Sequence, residues 1–142
     1  MAWVLIVLCF IGGAALAFQA GVNGEIGSKI GSLQAAFIAY FVGTVCLFVS
    51  ALAQGGLTFS WPSFSFWKWT VGALGAFYIV CIILAVPRIG ASAAITAGIA
   101  GQLLLGMLLD HFGAFGTPEI PVDASRLAAV GLIGVALYLF YH

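Results

Sequence analysis

An all-α integral membrane protein of five transmembrane helices is what this sequence predicts, on three observations. Hydrophobic residues make up 64% of the chain and charged ones 6%, with a mean hydropathy of +1.24. A soluble chain would keep a mixed charged surface, and runs this long without a charge are tolerated only in lipid. The runs do not alternate apolar with polar residues, as the strands of a membrane barrel do. Five of them approach the roughly 20 residues a helix needs to cross the hydrocarbon core.

The first span covers 3–22. Its start, MAWVLIVLCFIGGAALAF, lacks the basic residues of a secretory signal and outlasts that signal's usual apolar segment, so it reads as a retained helix. A polar, glycine-rich interruption follows, FQAGVNGEIGSKIG over 18–31, with a compact turn expected over 25–32. The second span covers 33–53, and the connection 54–68 carries Phe59, Trp61, Phe64, Phe66 and Trp67. Aromatics of this kind suit the headgroup level, and a short interfacial segment is expected after Pro62. The third span covers 69–86, after which Pro87-Arg88-Ile89-Gly90 reads as a tight hairpin that makes the third and fourth helices antiparallel neighbours.

The fourth span covers 91–109. Beyond it the connection 110–126, with Asp110, His111, Pro118, Glu119, Pro121 and Asp123, is the most polar part of the chain. The last apolar run, 127–141, would be roughly 22 Å of helix, so it is expected to borrow a turn and start near 124. The whole of 1–142 reads as a single transmembrane domain without an internal repeat. An odd number of spans puts the termini on opposite sides of the membrane.

Orientation follows the distribution of Lys and Arg, which cytoplasmic loops keep in excess. Lys68 and Arg126 fall on the N-terminal side, Lys29 and Arg88 on the other. That tie leaves no preferred orientation, so two copies are expected to meet as an antiparallel homodimer of ten helices with inverted symmetry, an arrangement suited to alternating access. Small residues recur every fourth position at Gly13, Ala17 and Gly21, and again at Ala93, Ala97 and Gly101, while Gly27 and Gly31 form a GxxxG. Such stripes let helices approach closely in lipid, within one bundle or between two.

Polar groups in hydrocarbon are costly and face a partner or a cavity. Near the middle of the spans these are Tyr40, Thr44, Tyr78, Thr96 and Gln102. Tyr40 and Thr44 share a face, and Gln102 shares one with Gly98 and Gly106, which leaves room beside its amide. Tyr40, Thr44, Tyr78 and Gln102, with Gln19 and Asn23, are the candidate substrate-binding residues. Each can equally serve as a hydrogen-bonding contact between helices. Glu25, Asp110 and His111 are the candidate groups for proton coupling or gating, and all three fall toward helix ends. Cys9, Cys46 and Cys81, odd in number and inside apolar runs, read as small buried hydrophobes. The HxxxH, CxxC, GxSxG and phosphate-loop patterns are absent, so the reading is not an enzyme and implies no cofactor or metal. The zero net charge points away from nucleic acid.

In order along the chain, FQAGVNGEIG with GSLQAAFIAYFVGT, then VPRIGASAAI, then AGQLLLGMLLDHFGAFG resemble the motifs of the YdcZ-like family of the drug/metabolite transporter superfamily. The resemblance spans nearly the whole chain. It rests on Gln19, Gly21, Asn23, Gly24 and Gly31, on Gly43 and Thr44, on Arg88 and Gly90, and on Gln102, Asp110, His111 and Gly113. It implies a small five-helix protein of a bacterial or archaeal inner membrane, with transport as the activity and the substrate unspecified. Two departures stand out. Gly31-Ser32-Leu33 replaces a Gly-Ser-Pro, and the first apolar run lacks the embedded Glu of the related small multidrug exporters. The expectation is therefore a secondary transporter of a small neutral or zwitterionic solute. A passive pore and a structural subunit of a hetero-oligomeric membrane complex are the alternatives.

Overall fold

The computed structural model describes residues 2–56, 66–116 and 118–142. The elements are α1 (Ala2–Ile30), α2 (Ser32–Ala53), a 3₁₀ turn (Phe66–Trp69), α3 (Gly72–Ile89), α4 (Ala91–His111), a 3₁₀ turn (Ala114–Gly116) and α5 (Ala124–Tyr141). All five α-helices are long and apolar enough to cross a membrane. They fall into two compact units, Met1–Pro87 and Arg88–His142. The interfacial segment expected around Phe59, Trp61, Pro62 and Phe64 lies outside the described residues.

The polar interruption is helical, contrary to the turn expected over 25–32. Lys29 bonds Glu25 one turn earlier at 2.5 Å, and the Ser28 hydroxyl donates to the Glu25 carbonyl, so the polar side chains are satisfied along the helix itself. The cationic Lys29 also complements the negative C-terminal end of the helix. Only Gly31 breaks the rod, at φ 100°, a conformation that favours glycine. Its N–H still donates to Gly27 and its carbonyl accepts from Ala35, so this one residue belongs to the ladders of both helices. The expected hairpin after α3 shrinks in the same way. The helix runs through Pro87 to Ile89, and Gly90 at φ 81° separates it from α4.

In the first unit Ala35 and Ala36 of α2 pack against Ile83 of α3, flanked by Ile26, Ile79 and Val80. A Cβ on Gly24 would sit 2.9 Å from Val86 Cγ1, and one on Gly27 would collide with Ile83 Cγ2, so α1 meets α3 through two glycines. Ala20 and Asn23, on the same face by helical spacing, are buried. It is a different face from the Gly13-Ala17-Gly21 stripe. Among the described residues nothing lies within 4 Å of a Cβ on Gly13, Gly21 or Gly101, and Ala97 is exposed, although Ala93 is buried. The inward face is turned from the Gly13-Ala17-Gly21 line by about 70° of rotation. All three cysteines face outward instead of being buried. Outward-facing large apolar side chains are the rule here, as expected where lipid is as apolar as the side chains.

A cleft between the last two helices

In the second unit α4 packs on α5, and a cleft of about 370 Å³ opens between them. Gln102, Leu103, Gly106, Met107 and Asp110 line it from α4, five positions that share one helical face. Arg126, Ala129 and Val130 line it from the first turns of α5. The cleft is therefore apolar along its length, with an amide at one end and an ion pair at the other.

The ion pair joins Asp110 Oδ2 to Arg126 Nη1 at 3.2 Å, with the two side chains about one-third exposed. Both charges stand at the wrong end of a helix. Asp110 is in the last turn of α4, where the helix dipole is negative, and Arg126 is in the first turn of α5, where it is positive. Each is compensated by the other. The connection is folded to bring them together: the Ile120 N–H donates to the Asp110 carbonyl at 2.9 Å, and the Val122 N–H donates to His111 Nδ1 at 3.3 Å. Gly113, at φ 57°, leaves space that a Cβ would lose, since it would stand 2.6 Å from Glu119 Cγ. Asp123 then caps α5, accepting from the Arg126 N–H and the Ser125 hydroxyl, each at 2.8 Å. Those two bonds, the Arg126 N–H first, hold its carboxyl below the usual carboxylate range.

The sequence-predicted residues are distributed between the two units. Gln102 and Asp110 share the cleft. His111 turns to the connection, where its Nδ1 must be unprotonated to accept from Val122. In the first unit the Tyr40 hydroxyl lies where a Cβ on Gly75 would come within 2.9 Å, and Tyr78 follows one turn along the same face of α3. Thr44 spends its hydroxyl on the Tyr40 carbonyl at 2.8 Å. Thr96 is half-buried, Gln19 is exposed, and Glu25 is engaged with Lys29 in an exposed pair. Asn23 is only 6% exposed, and its Nδ2 has no hydrogen-bond partner among the described residues. Arg126 is the residue the candidate set missed. Its signal was an opposite charge closing the connection that Asp110 opens. No three His, Cys, Asp or Glu side chains cluster to hold a metal among the described residues.

Residues 4–139 of the 142 match the family described as "Putative inner membrane exporter, YdcZ". No curated protein and no solved structure matches the chain.

Proposed function

The chain belongs to this family of inner membrane exporters, and from that premise we propose that it exports a small neutral or zwitterionic solute by alternating access, as an antiparallel homodimer. It is a multi-pass inner membrane protein, and the family points to a transporter and not an enzyme. The observation that carries the reading is the α4/α5 cleft. At about 370 Å³ it falls in the range of small-molecule sites, and its polar groups stand at its two ends. Gln102 and the Asp110–Arg126 pair line the solute's site from its two ends, while Gly90, at the junction of α3 and α4, lets the helices swing. The even split of Lys29 and Arg88 against Lys68 and Arg126 supports insertion in both orientations.

Paired reporters fused after His142, each active on only one side of the membrane, test the dimer. Both are expected to give signal. Signal from one side alone sinks the homodimer and calls for an oppositely oriented partner chain.

A further inference from the structure

An ion pair whose two charges both oppose their helix dipoles is a poor fastener but a ready-made receptor. Opening it leaves a half-buried anion and a half-buried cation side by side, and a ligand of a single charge would compensate only one of them. A matching ligand needs opposite charges as close together as those of the protein, whose charged atoms lie 3.2 Å apart. An ammonium and a carboxylate on one carbon meet that requirement, and zwitterions with a long spacer do not. Arginine's planar fork also suits a carboxylate. The walls leading away from the pair are apolar, from Met107 and Leu103 on α4 to Val130 on α5, with Gly106 leaving room between them.

The geometry points to this end of the cleft as a binding site for an α-amino acid with an aliphatic side chain. The ammonium sits on Asp110, the carboxylate on Arg126, and the side chain runs along Met107 and Val130. Gln102 is two turns farther along α4, about 12 Å, beyond the reach of the ligand's charged end. The assignment rests on the exporter reading above and names its substrate class.

The test is calorimetric titration of the purified protein in lipid nanodiscs with L-leucine, leucinol and 4-methylpentanoate. Leucinol keeps the ammonium and lacks the carboxylate, and 4-methylpentanoate does the reverse. Leucine is expected to bind saturably, and each analogue at least about tenfold more weakly, the loss of one charge-assisted contact. Arg126→Gln should abolish leucine binding. Because that variant can also fail to fold, Met107→Trp is the second probe: it fills the cleft, leaves the ion pair intact and should block leucine equally. Leucine binding no better than its analogues, or unchanged in Met107→Trp, overturns the site. Counterflow of labelled leucine in liposomes separates the two readings. Binding without counterflow supports the site and removes the exporter, whereas dual topology with no leucine binding leaves the exporter and removes the site.

Discussion

The two units of this protein are held by opposite means. In Met1–Pro87 the helices meet through Gly24, Gly27, Ala35, Ala36 and Ile83, an apolar contact made close by the absence of side chains. In Arg88–His142 the chain is tied at one end by polar bonds through Asp110, His111, Asp123 and Arg126, with an open cleft beside them. The difference teaches where function can be sited in a small membrane protein. Close packing of small residues leaves no room for a solute, while a polar clip at one end of a helix pair lets the rest of the pair stand apart.

The sharpest way to break the contrast is to give the first unit bulk. Gly27→Leu drives side chain into Ile83, and overpacking of this kind should cost about 3 kcal/mol, read as a fall in the melting temperature of a detergent-solubilised fluorescent fusion. A variant that melts like the parent would show that α1 and α3 do not depend on that contact. In the second unit Arg126→Gln strands the Asp110 carboxylate. With both side chains about one-third exposed, solvent screens part of the loss, and about 1–2 kcal/mol is expected by the same assay.

Asn23→Leu sharpens the comparison from the other side. The Asn23 amide is buried without a partner for Nδ2, so an apolar replacement should leave stability unchanged or raise it by up to about 1 kcal/mol. If Asn23 serves export, the same variant loses flux in liposomes while melting no lower, whereas a marked fall in stability would mean the amide is satisfied in the membrane. The smallest effect belongs to Asp123. Its carboxyl is held below the ordinary value of 3.8, chiefly by the Arg126 N–H, so its cap contribution is present above that value and is lost as pH falls through the depressed one. Helicity of the parent followed by circular dichroism should decline slightly below that window, and Asp123→Asn should flatten the decline.

The five spans were legible because hydrocarbon demands unbroken apolar length, and Ser32–Ala53 and Ala124–Tyr141 follow directly from that demand. Helix ends were harder to read. A rule that treats polar residues and glycine as punctuation placed a turn over 25–32, but Glu25, Ser28 and Lys29 bond along the helix, and Gly27 is a contact surface for Ile83. Pro87 misled in the same way, since the helix continues past it to Ile89. Of the candidate site, Gln102 was legible as a polar group in the middle of a span with small neighbours beside it, and Asp110 as one of the few titratable groups at a helix end. Arg126 was not, because its place beside Asp110 depends on the fold of the connection, where Ile120 and Val122 return to α4. Asn23 stood out by type, but only packing distinguishes it from the exposed Gln19 one turn earlier.

The joint at Gly31 carries a consequence for the lipid. α1 has 29 residues, about 43 Å of helix, against a hydrocarbon thickness of about 30 Å, so it must lean or project. A flexible loop would absorb that excess. Gly31 cannot, because its N–H and carbonyl are both committed to helix ladders. α2 therefore starts at whatever depth α1 ends, and a thicker bilayer that draws α1 upright raises the first turn of α2 with it. The depth at which α2 enters the bilayer is thus tied to the tilt of α1.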